Sequence, residues 1–267
     1  MRNIKFLCVL FLLAALGING LEAQSLRSMS LNGSTGLYSI PSGRIGWERT
    51  RDVGLDFGYH TIINDKVDHI PKINVSLFKW VELSAAFDIQ PDGYIPRDKG
   101  TDFLGGLKVQ LPLTKTALAI GGNFQALNMG STGYYRYNAG QIYAAVTYMG
   151  LFFSMPAETT VVLGKTFREH TSDWDIDFGM GFDLLLFPKV FERFVHWVTD
   201  CSNFSYSVEP FSADAWYRGV VNTGLRIDLS AIPALSKFKF AIDALVTDAF
   251  DNNRAFSIGV TFGVPII

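Results

Sequence analysis

The sequence predicts an all-β fold, an antiparallel transmembrane β-barrel of about twelve strands with one short amphipathic helix, since single-chain bacterial barrels carry even strand numbers. Three observations carry this reading. First, residues 174–187 alternate large apolar side chains (Trp174, Ile176, Phe178, Met180, Phe182, Leu184) with acidic or tiny ones (Asp175, Asp177, Gly179, Gly181, Asp183). A strand sends successive side chains to opposite faces, so one face is oily and the other carries carboxylates. Second, the same alternation recurs along most of the chain. Third, no segment beyond the N-terminus supplies the roughly twenty uninterrupted apolar residues of a helical span. In an outer membrane the oily face meets lipid and the polar face looks into the barrel.

The chain opens with Arg2 and Lys5 before an apolar run over residues 6–16, and Leu21-Glu22-Ala23 offers a cleavage site. Residues 1–23 therefore read as a secretory signal peptide, which would carry Cys8 away and leave Cys201 as the sole cysteine. One cysteine allows no internal disulfide. Aromatic residues make up 14% of the 267 residues, with 22 Phe and 10 Tyr, and the formal net charge is −2. Near-neutral charge with dispersed Lys and Arg excludes an electrostatic nucleic-acid footprint. Residues 24–51 form an N-terminal lead, with Gly and Pro too frequent after residue 33 for a central strand. An edge strand, a periplasmic segment or a piece lodged in the lumen all remain open for it.

Residues 52–267 read as the barrel. Val53, Leu55, Phe57, Tyr59 and Thr61 oppose Asp52, Asp56 and His60; Ile73, Val75 and Leu77 oppose Lys72, Asn74 and Ser76. Val81, Leu83, Ala85, Phe87 and Ile89 oppose Glu82, Ser84, Asp88 and Gln90, and Leu107, Val109 and Leu111 alternate with Lys108 and Gln110. Further oily faces follow at Leu118–Ala126, Ile142–Tyr148, 159–167 and 174–187. Residues 189–199 then place Val190, Phe191, Phe194, Val195, Trp197 and Val198 at helical spacing, which predicts an amphipathic helix at the membrane interface. Beyond it, short alternation at 204–208 and longer runs at 217–228, 237–246 and 256–264 complete the set. If the first strand runs outward, the tight turns near Lys79 and Leu113 fall in the periplasm and the loops at 91–101 and 128–137 fall outside, as barrels of this kind require. About ten to fourteen strands are compatible with the pattern.

The polar faces nominate a luminal set: Asp56, Glu82, Asp88, Lys108, Asp175, Asp177, Asp183, Arg218, Arg226, Asp228, Lys237, Lys239 and Asp243. Interior charges are stable when paired, so these acids and bases are expected to form a mixed network, although Asp175, Asp177 and Asp183 have the chemistry for a cation. The four histidines lie in different segments, with no pair at ligand spacing on one helix or strand. Cys201 has no base beside it, and no nucleophile elbow occurs. No catalytic residue, metal site or cofactor is therefore expected.

Residues 35–44, Thr-Gly-Leu-Tyr-Ser-Ile-Pro-Ser-Gly-Arg, resemble the opening of YbjH-like bacterial outer-membrane proteins through Gly36, Leu37, Pro41, Gly43 and Arg44. The reversal over residues 77–83 looks like the strand–turn–strand start of the same proteins. The resemblance implies an outer-membrane barrel and, through that family, a link to exopolysaccharide; neither motif is catalytic.

The functional expectation is an outer-membrane β-barrel, after signal-peptide export, that acts as a narrow passive pore or envelope-transport component. The alternative is a packed-lumen barrel serving a structural or surface-interaction role, with a lipid enzyme at the barrel rim a further rival. Outer-membrane lipid is the expected partner, and small solutes or ions are the candidate cargo. A barrel of about twelve strands falls between side-chain-filled eight-stranded barrels and open porins, so an open or a plugged lumen both fit.

Overall fold

A computed structural model describes residues 27–47, 52–63, 67–90, 100–113, 115–127, 137–169, 176–204, 220–250 and 254–266. The signal segment, Trp174, Asp175, Tyr217 and Arg218 lie outside the described residues. The strands are β1 (Val53–Ile63), β2 (Val67–Leu77), β3 (Val81–Gln90), β4 (Gly100–Pro112), β5 (Thr116–Leu127) and β6 (Tyr137–Phe152). The second half supplies β7 (Met155–Arg168), β8 (Asp177–Leu185), β9 (Val195–Ser202), β10 (Val220–Asp228), β11 (Lys239–Thr247) and β12 (Ala255–Pro265). Every strand pairs with its sequence neighbours, and β1 pairs antiparallel with β12 from Gly54↔Pro265 to Ile63↔Phe256, closing the barrel. Closure leaves no free strand edge, the condition for a sheet in lipid.

The alternation fixes which face is which. In β12, Phe256, Ile258, Val260 and Phe262 point outward and stay exposed, whereas Ser257 and Thr261 point inward and are fully buried. The same inside-out arrangement holds in β1, β3, β4, β5 and β6, so the exposed band is apolar and the buried interior is polar. In water such a surface would be far larger than the apolar patches soluble monomers tolerate; in lipid it is the stable choice. One end of the barrel carries the hairpins at 78–80, 113–115 and 153–154 together with the start of β1 and the end of β12. The connections at 186–194 and 229–238 also lie at this end, while those at 64–66, 91–99, 128–136, 169–176, 203–219 and 248–254 join strands at the other end and are longer on the whole. By the rule that periplasmic turns are short and outer loops long, the hairpin end is periplasmic. Phe78, Trp80, Phe153 and Phe187 are exposed there, where an aromatic girdle belongs.

The one short helix is present, but of the span predicted over 189–199 only the first turn is helical. The α-helix is confined to α1 (Pro188–Phe191), and Val195–Ser202 is strand β9, paired with β8 and β10. The ninth strand is thus not the short run predicted at 204–208; Phe204 lies in a bend, and residues 205–208 lie outside the described residues. The cause of the misreading is physical. Val198 is an apolar residue on the inward face, fully buried against other apolar side chains, so β9 carries apolar residues on both faces next to Phe191 and Phe194 and loses the alternation in sequence.

Candidate functional site: a plugged lumen

The centre of the barrel is filled by the chain's own N-terminal lead. Every residue from 28 through 46 is buried. The segment folds back on itself through bridges between Met29 and Thr35 and between Gly36 and Pro41. Gly33 takes a left-handed φ of 86° at the first reversal, a conformation that glycine adopts without a steric penalty. Gly43 passes so close to the main chain of Ala117 and Ala145 that a side chain there would collide with both. Ordering a backbone costs about 1–2 kcal/mol per residue, so a segment with so little regular structure must be held by its surroundings.

The wall holds it chiefly by its main chain. Asp200 accepts the N–H groups of Tyr38 and Ser39, both at 2.7 Å, and the Ser39 hydroxyl at 3.0 Å, while Asn222 donates to its other side at 2.8 Å. Glu82 accepts from the Thr35 N–H at 2.8 Å, the Ser34 hydroxyl at 3.0 Å and the Gly46 N–H at 3.2 Å. Thr147 receives the Gly43 N–H at 2.8 Å and Gln110 the Ile45 N–H at 2.6 Å. In the opposite sense, Lys72 donates to the Ser30 carbonyl at 2.8 Å, Lys108 to that of Thr35 at 2.9 Å, and Asn74 to that of Gly33 at 3.1 Å. Near the periplasmic end, Trp47 donates its indole N–H to Asp56 at 2.8 Å and lies 5.0 Å from the Lys239 ammonium, within cation–π range.

Two apolar seats complete the fit. Leu31 and Tyr38 pack with Ile62, Ile70, Leu104 and Leu245, whereas Leu37 and Ile40 pack with Tyr143, Val162 and Val198. Gly179 and Gly181 of β8 make room for the second seat, since a Cβ at either position would run into Ile40 or Leu37 respectively.

Several of the charged wall residues are paired with an opposite charge and others are held by neutral hydrogen-bonding groups, which is what makes their burial tolerable. Lys108 lies 3.0 Å from Glu82, and Lys239 lies 2.7 Å from Asp56. Arg226 contacts Asp243 at 2.7 Å and Asp183 at 3.3 Å; Asp183 also meets His196 at 2.6 Å, and Asp243 meets His60 at 3.3 Å. Arg44 of the plug lies 3.2 Å from Glu158. Asp177 accepts from Gln141 at 2.7 Å and Thr166 at 2.6 Å, and Asp228 caps the 3-10 turn Leu229–Ala231 through Ser230. Asp88 faces Asp102 across the β3–β4 ladder. Lys237 is not luminal: it is exposed in the turn before β11, where the chain has not yet entered the sheet. Among the described residues, no cluster of His, Cys, Asp and Glu has the arrangement to hold a metal ion.

Of the wall residues that grip the plug, Asp56, Glu82 and Lys108 are placed in the lumen by sequence alone, but with no partner in the lead. Lys72, Asn74 and Gln110 stood on polar faces but gave no sign of a partner. His196 was hidden inside the supposed helix, and Asp200 stood just past its end on no predicted strand. The residues on which the resemblance to YbjH-like proteins was read all fall in the plug, and no comparison bears out that family: Gly36 and Pro41 form its turn, Leu37 fills a seat, and Gly43 and Arg44 meet the wall.

No family model matches the chain, and no curated protein matches it. Among solved structures it is similar to the KdgM porin, with a TM-score of 0.50 and 6% identity over 79% of this chain and 99% of that one. The KdgM porin in complex with disordered oligogalacturonate gives the same values. The Acinetobacter baumannii outer membrane protein Omp33 gives a TM-score of 0.43 with 9% identity, over 82% of this chain and 100% of that one. At such identities the likeness concerns the fold. Fold and apolar exterior together define an outer-membrane β-barrel of porin-like architecture, and within that class this chain carries its N-terminal segment inside the lumen.

Proposed function

We propose that the chain is a porin-like barrel held shut by its own N-terminal segment, an envelope-transport component whose passage for small solutes or ions opens when that segment withdraws. The observation that carries this reading is the contrast between plug and wall. Residues 28–46 are buried throughout, yet the wall beneath them is built from Asp56, Lys72, Glu82, Lys108, Asp200 and Arg226. Buried ion pairs contribute little net stability compared with apolar residues of the same shape, so a permanently packed lumen gains nothing from them. A wall that meets water whenever the plug is out does need them. The reading is non-enzymatic, with export by the signal over residues 1–23 and outer-membrane lipid as the surrounding partner. The likeness to YbjH-like proteins enters as a proposal too: the shared residues are those that build and seat the plug.

The two apolar seats favour a second reading, a barrel with a permanently packed interior. Planar-bilayer recording separates the two. The intact refolded chain is expected to be mostly silent, and a chain lacking residues 27–47 to show steady openings. A deletion variant that folds, keeps the heat-dependent gel shift of a closed barrel and still fails to conduct would establish the packed-lumen reading instead.

A further inference from the structure

We infer that the inner wall is a binding site for polypeptide main chain, and that a peptide supplied in trans can take the place of the chain's own segment. This deepens the proposed function and rests on it, because the segment must be able to leave. The argument lies in which atoms the wall reads. Asp200 and Glu82 each accept two backbone N–H groups, and Thr147 and Gln110 accept one apiece. Lys72 and Lys108 answer with donors to backbone carbonyls. These are the groups that every polypeptide presents whatever its sequence. A simple ion offers neither set, and an unmodified sugar offers hydroxyls in place of amides.

Asp200 is the clearest case. Its hydrogen-bond donors are the neutral Tyr38 and Ser39 amides, the Ser39 hydroxyl and Asn222, so a peptide supplies what an arginine or lysine supplies elsewhere in the lumen. Side-chain selection is confined to small features. Gly43 crosses the wall where no side chain fits, and Leu37 and Ile40 sit over Gly181 and Gly179. The expected ligand is therefore a Gly- and Ser-rich peptide with spaced aliphatic residues, taken up from the periplasmic end, where Trp47 leads out of the lumen.

The test folds the full chain first and frees the plug afterwards. A protease site is placed within residues 48–51, the refolded protein is cut, and ionic current is recorded in a planar bilayer. Three probes are then added: a synthetic peptide of residues 27–47, a peptide that keeps its glycines and Leu31, Leu37, Tyr38 and Ile40 in place but shuffles the remaining side chains, and a neutral oligosaccharide of similar mass. Cutting and washing is expected to open the channel, and both peptides to close it, with affinities within about tenfold, equivalent to about 1.4 kcal/mol. Asp200→Ala should weaken both peptides together. Closure by the oligosaccharide alone, or by the native sequence alone, overturns the inference. If the cut barrel never conducts, the proposed function fails by itself, and the inference is judged by exchange. Native mass spectrometry then asks whether isotope-labelled peptide replaces the cut segment: exchange supports the site, and its absence overturns it.

Discussion

His60 reaches Asp243 across a strand that belongs to neither of them. Its Nε2 lies 3.3 Å from the Asp243 carboxylate, with β12 running between β1 and β11. Both residues are in register with Gly259, and a Cβ at that position would fall within the imidazole. The relationship repeats two inward rows away, where Asp56 and Lys239 meet at 2.7 Å over Gly263. Two glycines four residues apart thus let β12 pass beneath two polar side-chain contacts, and the absent side chains are what allow the neighbouring strands to be tied together.

Gly259→Leu should therefore destabilise the barrel out of proportion to its chemistry. Overpacking costs roughly 1–3 kcal/mol, and separating His60 from Asp243 adds to that cost. The outward neighbour Val260, which is exposed, provides the control, because Val260→Leu should change stability by less than about 0.5 kcal/mol. The midpoint of urea unfolding from lipid vesicles measures both. Equal midpoints for the two variants would show that the row over Gly259 does not hold the strands.

Asp200→Ala tests the grip on the plug. It removes the acceptor of two backbone amides and one hydroxyl, and each buried donor left unsatisfied costs about 1–3 kcal/mol. Because these donors belong to the plug, the loss should loosen the plug before it loosens the sheet. The expected result is a barrel that keeps its heat-dependent gel shift while its N-terminal segment becomes susceptible to added protease and its bilayer current begins to flicker. Asp200→Asn retains one acceptor oxygen and should fall between Asp200→Ala and the native protein.

The outward half of the fold was readable because lipid imposes one rule on every outward position. Phe57, Leu83, Leu107, Ile120, Ile142 and Phe262 all obey it, and the barrel class and strand number follow from the repeat. The inward half obeys two rules at once. Where the wall meets the plug's main chain it is polar, as at Glu82 and Asp200; where it meets the apolar seats it is Ile70, Leu104, Val162 or Val198. A reader expecting a watery lumen sees the second group as noise. In β9 that noise combined with Phe191, Phe194 and Trp197 to imitate a helix. The Gly-rich, Pro-containing lead could be recognised as something other than a wall strand. Its seat could not, because the glycines at 179 and 181 that admit it look in sequence like ordinary strand glycines.

Those glycines give a third prediction. Gly179→Leu places a large side chain where Ile40 of the plug already meets the β8 wall, with no main-chain atom of a neighbouring strand in its way, so plug and substituent cannot both be accommodated. The wall is tied by ladders on both sides, to β7 and to β9, whereas the plug has no regular ladder of its own. The plug is the part that should yield. Limited proteolysis should release the N-terminal segment from an otherwise intact barrel, and bilayer current should resemble that of the chain lacking residues 27–47. A variant that keeps its plug protected would mean that β8 bends instead.

The last prediction separates lipid from water as the solvent of the outer face. Leu107 and Leu113 both point away from the lumen and are comparably accessible, at 49% and 60%. Leu107 sits midway along β4, whereas Leu113 follows its last residue at the hairpin end. In a membrane, a lipid-facing arginine costs about 2–4 kcal/mol at the midplane and about 0–1 near the interface. Leu107→Arg should therefore lose that larger amount in reversible folding into vesicles, and Leu113→Arg almost none. In water, exposed positions away from special features tolerate substitution within about 0.5 kcal/mol, so neither variant would then differ from the native protein. Because accessibility is similar at the two sites, a large gap between the variants can only report depth in a bilayer.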